Sequence, residues 1–194
     1  METRERGMSR GKVYPAKHAG QLINPLRRLI QSPRRLVGSV GLSPDACVLE
    51  IGCGPGYFSP AIAAAVPAGR LAMFDYQQEM LTIARSRVRQ RGLANFDCAR
   101  GDGMALPYAS GTFDAVFLIL VLGEIPDEVA CLREVARVLK NGGQAAISES
   151  RTDADFHRVA AVRALAEEAG LTFVRRHGPP FNYTAVFTGP GEVT

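Results

Sequence analysis

The most constraining feature of this chain is an apolar segment that runs directly into three glycines at alternate positions. It reads Val48-Leu49-Glu50-Ile51-Gly52-Cys53-Gly54-Pro55-Gly56. The apolar residues predict a buried strand, and a helical pattern begins near Phe58. Glycines at such a turn permit a tight bend and let a ligand lie against bare backbone at the carboxyl end of the strand. We therefore expect a nucleotide-like cofactor at this turn.

The rest of the chain alternates strand-like runs with helical periods, which predicts right-handed βαβ units and a parallel sheet with helices on both faces. The link between the last two strands contains Gly178-Pro179-Pro180 and is too short for a parallel crossover, so the sheet should close with an antiparallel hairpin. The predicted strands are Ala46 to Ile51, Arg70 to Asp75, Phe96 to Arg100, Phe113 to Leu120, Gln144 to Glu149, Leu171 to Arg176 and Tyr183 to Thr188. The predicted helices begin near Phe58, Gln77 and Asp127, and a last one spans Phe156 to Ala169.

Length and composition predict one globular domain, and its alternating strands and helices are typical of the α/β class. The chain has 194 residues, of which 46% are hydrophobic and 22% charged. We assign residues 1–20 to a flexible basic arm and residues 21–194 to a single domain, with two short amphipathic helices in 21–42 and the core in 45–190. No secretory signal and no apolar run of about 18 residues occurs. We expect a cytoplasmic protein.

The four cysteines form no C-x-x-C pair, so we expect neither a disulfide framework nor a metal site.

The pattern around the glycines bears on which nucleotide binds. Dinucleotide-binding loops read G-x-G-x-x-G, whereas Tyr57 stands where the last glycine would fall. Glu50 would repel a pyrophosphate and would attract an ammonium or sulfonium group. A cationic nucleoside is therefore favoured over a dinucleotide.

Two further acids follow predicted strands. Asp75 ends the second strand, where a carboxylate can accept both hydrogen bonds of a ribose diol; an N-cap for the next helix is the alternative. Asp102 follows the third strand and can accept from an exocyclic amine, while Met104 packs on a flat ring. A Gly-Asp-Gly sequence is also typical of a simple turn.

These residues resemble the class I S-adenosylmethionine (SAM)-dependent methyltransferases, in particular the group related to ubiquinone/menaquinone C-methyltransferases (methyltransferase type 11). Three segments carry the resemblance: Val48 to Gly56, Gly101 to Val116, and Leu132 to Gly143. The resemblance implies a Rossmann-like, seven-stranded, mostly parallel sheet of order 3-2-1-4-5-7-6 with an antiparallel last strand. It also implies helices on both faces and an N-terminal helical lid.

The resemblance further implies the cofactor and its contacts. SAM would be bound and S-adenosylhomocysteine released. The implied cofactor-binding residues are Glu50, Gly52, Cys53, Gly54, Gly56, Tyr57, Asp75, Tyr76, Met80, Gly101, Asp102, Gly103, Met104, Ile119 and Leu120.

The acceptor side is less defined. Many relatives carry a histidine pair after the fourth strand, and here Gly123 and Glu124 replace it. Methyl transfer from a sulfonium requires mainly alignment and exclusion of water, and a base helps when the acceptor must lose a proton. Glu124 is our candidate catalytic base; a loop carboxylate that caps the next helix is the alternative.

Other histidine and tyrosine side chains are weaker candidates. Tyr14 and His18 precede the N-terminal helices and are candidate substrate-binding residues. We interpret His157 and His177 as structural or surface residues, away from the loop ends where the ligand should lie.

The remaining alternatives concern partners and activity. Residues 1–45 carry nine Lys and Arg against three Asp and Glu, so the basic arm could be a lid, a surface for nucleic acid, or a helix that contacts a membrane surface. A small-molecule or lipid acceptor is favoured over RNA or protein. A SAM-binding but inactive module and an NAD oxidoreductase are further alternatives, because fold alone does not decide function. A monomer or homodimer is expected.

Overall fold

A computed structural model describes residues 32–189 of the chain. The helices are α1 (Pro33–Gly38), α2 (Ser59–Ala65), α3 (Gln78–Arg89), α4 (Glu128–Val138) and α5 (Val159–Glu168), with a short 3₁₀ helix at Leu122–Glu124. The strands are β1 (Cys47–Ile51), β2 (Arg70–Asp75), β3 (Phe96–Arg100), β4 (Phe113–Ile119), β5 (Leu139–Ser150), β6 (Thr172–His177) and β7 (Asn182–Thr188).

Within these residues the seven strands form one sheet of order β3-β2-β1-β4-β5-β7-β6. The pairs among β1 to β5 are parallel, and β7 pairs antiparallel with both β5 and β6. The predicted order and the closing hairpin are confirmed. The carboxyl ends of β1, β2, β3, β4 and β5 therefore share one edge of the sheet, and β7 begins at the same edge opposite the end of β5, where Ser150 pairs with Asn182.

Both faces of the sheet are covered because successive strand residues point to opposite sides. Val48 packs in the core beneath α1, α2 and α3, whereas its neighbour Leu49 packs in the core beneath α4 and α5. Apart from Glu50 and Asp114, β1 and β4 are apolar on both faces for this reason, and they lie at the centre of the sheet.

Two predicted boundaries differ from the structure by more than one residue. The last helix begins at Val159 rather than Phe156, because the backbone at His157 is held by side chains: its N–H donates to Glu149 at 3.1 Å and its carbonyl accepts from the Tyr183 hydroxyl at 2.9 Å. The fifth strand begins at Leu139 rather than Gln144, because Leu139 already pairs with Phe113 ahead of an irregularity in register.

The second of the two predicted N-terminal helices corresponds to α1. Leu36 of α1 packs in the core, and Arg175 of β6 donates to the Ser39 carbonyl at 2.6 Å. The first predicted helix, the basic arm, Tyr14 and His18 lie outside the described residues. No helix within residues 32–189 combines the length and apolarity that a membrane crossing needs.

Candidate functional site

The turn between β1 and α2 requires glycine at three positions. Gly52, Gly54 and Gly56 have φ angles of 65°, 52° and 72°, in the left-handed region that other residues rarely adopt. The Gly52 and Cys53 N–H groups both donate to the Phe74 carbonyl, at 2.8 and 3.1 Å. The turn is therefore fixed to the end of β2.

The three glycines face different surroundings. A Cβ at Gly56 would lie 2.7 Å from the Cα of Ala84 in α3, and one at Gly52 would collide with the Val121 side chain. A Cβ at Gly54 would meet nothing within 4 Å. Gly52 and Gly56 thus permit close packing, whereas Gly54 leaves bare backbone beside open space, as a ligand requires.

Asp75 connects this turn to the start of α3. One carboxylate oxygen accepts from the Gly54 N–H and the other from the Gln77 N–H, each at 2.8 Å. The side chain is buried, which raises its pKa, while these backbone bonds oppose the rise. Each oxygen retains a second lone pair, so Asp75 can hold the loop and still accept from two hydroxyls of a diol.

Glu50 lies inside the site rather than at its surface. Its carboxyl is buried and accepts from the Ser59 hydroxyl at 2.5 Å, at the beginning of α2. Burial raises its pKa to about 8, against the hydrogen bond from Ser59 and with the added charge of Asp75. A cation bound nearby would favour the ionised form. Glu50 and Asp75 therefore suit a ligand with a positive group.

The loop after β3 presents the third predicted acid. Asp102 is exposed and accepts from the Met104 N–H at 2.9 Å, which is the turn geometry that the sequence left as an alternative. A Cβ at Gly101 would lie 2.7 Å from the Phe74 ring, and Gly103 approaches Ile51 of β1. The loop is thus packed against the ends of β1 and β2, with the Asp102 side chain outside the packing.

Residues of α4 anchor the same loop. Glu134 accepts from the Leu106 N–H at 2.7 Å, and Arg137 donates to the carbonyls of Leu106 and Tyr108 at 3.1 and 2.7 Å. Arg137 also pairs with Glu134 at 2.7 Å. This explains why charged residues recur in the Leu132 to Gly143 segment of the sequence.

The other predicted cofactor residues differ in accessibility. The Tyr76 side chain is exposed beside Asp75, whereas Met80 is buried in α3 with 2% of its surface exposed. Cys53 is buried, and burial next to Glu50 and Asp75 raises the pKa of its thiol. Tyr57 packs edge-to-face on Phe58 at 4.8 Å between ring centroids.

The end of β4 lies next to the glycine turn. Leu120 has a φ of 56°, unfavourable for a leucine, and its N–H donates to the Ser148 carbonyl at 3.0 Å. Ile119 before it is buried. Because a Cβ at Gly52 would contact Val121, the segment after β4 touches the cofactor loop directly.

Glu124 ends the 3₁₀ helix that follows β4 and is partly buried. The cap of α4 is supplied by Asp127, whose carboxylate accepts from the Ala130 N–H at 2.9 Å.

A cluster of polar residues beside this segment was not predicted from the sequence. A Cβ at Gly123 would lie 2.5 Å from the Asp155 carbonyl oxygen and 3.1 Å from the His157 ring. The prediction that His157 lies away from the loop ends is therefore wrong. His157 pairs with Glu128 at 3.1 Å between Nε2 and Oε1, and both side chains are largely buried.

Glu149, near the end of β5, belongs to the same cluster. It is buried and accepts from the His157 N–H at 3.1 Å. Burial raises its pKa to about 8, and the nearby charges of Asp153, Glu128 and Asp155 add to the rise. The sequence signal was indirect: a glycine at position 123 is compatible with close approach of another segment but does not identify that segment.

Comparisons with known proteins agree on family and fold. Residues 48–143 match the family described as "Methyltransferase domain". A demethylmenaquinone methyltransferase of a Geobacillus species is 34% identical over 140 residues, covering 72% of this chain and 60% of that protein. One from Lactococcus lactis is 32% identical over 118 residues, covering 60% of this chain and 45% of that protein. This chain therefore matches only about half the length of these relatives.

Among solved structures, a SAM-dependent methyltransferase from Aquifex aeolicus superposes with a TM-score of 0.83 at 22% identity. The match covers 91% of this chain and 98% of that one. At this identity the likeness shows the fold, and the glycine turn, Asp75 and the family match together indicate SAM as the cofactor.

Proposed function

Because this chain belongs to the class I SAM-dependent methyltransferases, we propose that it transfers a methyl group to a small, lipophilic acceptor and that Glu124 accepts the acceptor's proton. When bound, SAM would supply a methyl group from its positively charged sulfur, and that sulfur would leave as a neutral thioether. The acceptor's nucleophilic atom forms the new bond to carbon, and its proton is released to a base.

The observation that carries this proposal is the position of Asp75. Its two oxygens hold the Gly54 and Gln77 N–H groups at the adjoining ends of β1 and β2, beside open space at Gly54. This arrangement suits a ribose diol, and Tyr57 stands where a dinucleotide-binding loop has its third glycine. In this proposal Glu50 faces the cationic part of the ligand and Asp102 the adenine amine.

The lipophilic acceptor is supported by the relatives, which are named demethylmenaquinone methyltransferases. The segment after β4 supports Glu124 as the base, since it adjoins the glycine turn through Val121 and Gly52, and α4 has its own cap in Asp127. The proposal for Tyr14 and His18 as acceptor contacts rests on the sequence.

The first test is calorimetric titration of the full chain with S-adenosylhomocysteine and, in parallel, with NADH. We expect micromolar binding of the former and none of the latter. Binding of NADH alone would overturn the proposal in favour of a dehydrogenase, and binding of neither would indicate a degenerate module.

The second test addresses Glu124. In an acceptor screen with radiolabelled SAM, Glu124→Gln should lower turnover about a hundredfold, as expected for loss of a general base. Its affinity for S-adenosylhomocysteine should stay unchanged. Glu79→Gln, on the exposed first turn of α3, is the matched control. Full turnover of Glu124→Gln would remove it from the mechanism.

A further inference from the structure

A groove lies at the same edge of the sheet as the glycine turn, beside the ends of β5 and β7. Its volume is about 550 Å³, within the range of about 300 to 1,000 Å³ that small-molecule sites occupy. The apolar part of its lining includes Phe156, Val159 and Phe181, and Arg151 and Arg158 provide the charge. We call it the arginine groove.

The walls of the arginine groove are fixed by the fold. The Arg151 N–H donates to the Phe181 carbonyl at 2.9 Å, which joins the end of β5 to the start of β7. Phe156 packs edge-to-face on Tyr183 of β7 at 6.3 Å between ring centroids. Such a site is formed before a ligand arrives, which limits the entropy lost on binding.

The aromatic surface of the groove is accessible. The Phe181 side chain is 56% exposed, one of three large apolar side chains among residues 32–189 with such exposure. Tyr76 at the cofactor site is another. An exposed phenyl ring beside a groove is typical of a surface that stacks on a flat apolar group.

The charge of the groove is positive. Arg151 and Arg158 are exposed, and neither belongs to an ion pair within the described part of the chain. The acids of the same loop, Asp153 and Asp155, do not line the groove. Their charges instead raise the pKa of the buried Glu149. Guanidinium groups bind carboxylates through paired hydrogen bonds, so the groove suits an anion.

The groove also lies within reach of the cofactor site. In the sheet, β5 is two strands from β1, so the ends of the two strands are about 10 Å apart. The loop that lines the groove, residues 151–158, packs against Gly123 beside Glu124. Alternate residues of this loop therefore line the groove and contact the segment after β4, so the groove adjoins the proposed acceptor site.

We propose that the arginine groove binds the part of the methyl acceptor that does not react, namely a flat aromatic group that carries a carboxylate. This inference rests on the proposed methyltransferase function and narrows the small, lipophilic acceptor to one whose apolar ring system carries a single carboxylate. Phe156 and Phe181 stack against the ring, and Arg151 and Arg158 pair with the carboxylate.

The test is a ligand-observed NMR titration of the full chain, saturated with S-adenosylhomocysteine, with 2-naphthoate and with its uncharged isostere 2-naphthamide. We expect 2-naphthoate to bind at least tenfold more tightly than the amide, and added salt to reduce that preference. Equal binding of the two compounds, or binding of neither, would overturn the proposal.

Substitutions in the arginine groove test whether 2-naphthoate binds there. Arg158→Gln and Arg151→Gln should each reduce the preference for the acid several-fold, Arg158→Lys should restore part of it, and Phe181→Ala should weaken both compounds. Arg163→Gln, on the same helix but outside the groove, is the control for charge, and Val174→Ala, an exposed apolar side chain on β6, is the control for exposure. Unchanged 2-naphthoate binding in Arg158→Gln, Arg151→Gln and Phe181→Ala would also overturn the proposal.

Titration of S-adenosylhomocysteine on the same samples separates the two proposals. Tight binding of S-adenosylhomocysteine without 2-naphthoate binding overturns the arginine groove alone. Absence of S-adenosylhomocysteine binding overturns the methyltransferase function and the groove's role with it.

Discussion

The functional edge of the sheet has two halves that are built differently. The cofactor half, so named for the proposed SAM site, comprises the ends of β1, β2 and β3, where backbone groups and contacts between the ends of neighbouring strands shape the site: Gly54 and Gln77 both donate to Asp75. The acceptor half comprises the ends of β4 and β5 and the start of β7, where Gly123 and His157 meet across more than thirty residues. The first half is specified by local motifs and the second by packing between distant segments.

If the two halves are independent, a change in one should leave the other intact. The predictions below test this, beginning with the largest expected effect.

Gly56→Ala should lower the free energy of unfolding by about 3 kcal/mol, because a Cβ there meets the backbone of Ala84 at 2.7 Å and the φ is 72°. Gly54→Ala should lower it by only about 1 kcal/mol, since its Cβ meets nothing. Gly54→Ala should nevertheless weaken S-adenosylhomocysteine binding, because its side chain enters the space beside Asp75. Urea denaturation and calorimetry measure the two effects, and equal destabilisation by both substitutions would contradict the assignment of roles.

Gly123→Ala should disrupt the acceptor half. Its Cβ would lie 2.5 Å from the Asp155 carbonyl, so the loop containing Asp155 must move, at a loss of about 2 kcal/mol of stability. Affinity for S-adenosylhomocysteine should stay within twofold of the parent, while methyl transfer to an acceptor falls. Gly38→Ala, at the end of α1 with nothing within 4 Å of the added Cβ, controls for the general effect of adding a methyl group. A parallel loss of cofactor affinity would show that the two halves are coupled.

Asp75→Asn should weaken S-adenosylhomocysteine binding about tenfold or more, equivalent to about 1.4 kcal/mol. The amide nitrogen of Asn cannot accept a hydrogen bond, yet it would face one of the two N–H groups that now donate to the carboxylate. One acceptor for the diol would also be lost. Asp97→Asn, an exposed carboxylate on β3 that pairs with Arg70, is the control. Unchanged affinity in Asp75→Asn would mean that another group holds the ribose.

The contrast between the halves also explains what the sequence could predict. The glycine turn and Asp75 follow predicted strands directly, so their meeting at one edge follows from parallel topology. The closing hairpin could be predicted from the short link between the last two strands, whereas the order β3-β2-β1-β4 was implied only by the family resemblance. His157 could not be placed, because its position depends on Glu149 and Tyr183, which hold it through its backbone. Such contacts leave no periodic pattern in the sequence.

The electrostatics of the cofactor half illustrate a second limit. The sequence predicts that Glu50 is a charged group that repels phosphate. In the structure it is buried and bonded to Ser59, with a pKa raised to about 8, so its charge depends on pH and on a bound cation. The strand pattern predicts that Val48 and Leu49 are buried. It does not reveal that burial in the folded core also raises the pKa of Glu50, which follows them.

The smallest predicted effect is on the pH dependence of the free energy of unfolding, to which one buried acid in each half, Glu149 and Glu50, contributes. Glu149 has a pKa raised to about 8 in the folded state, above its unfolded value, so the stability it contributes is present at low pH and is lost as the pH rises. Between pH 7 and pH 8 this loss should be about 1 kcal/mol.

Glu149→Gln should remove that part of the pH dependence, and Glu50→Gln should remove a separate part, because burial also raises the pKa of Glu50 to about 8. With the two acids two strands apart, their contributions should add in the double variant, as measured by urea denaturation across this pH range. A double variant no different from either single one would show that the two halves titrate as one unit, and the division of this edge into a local and a long-range half would then fail.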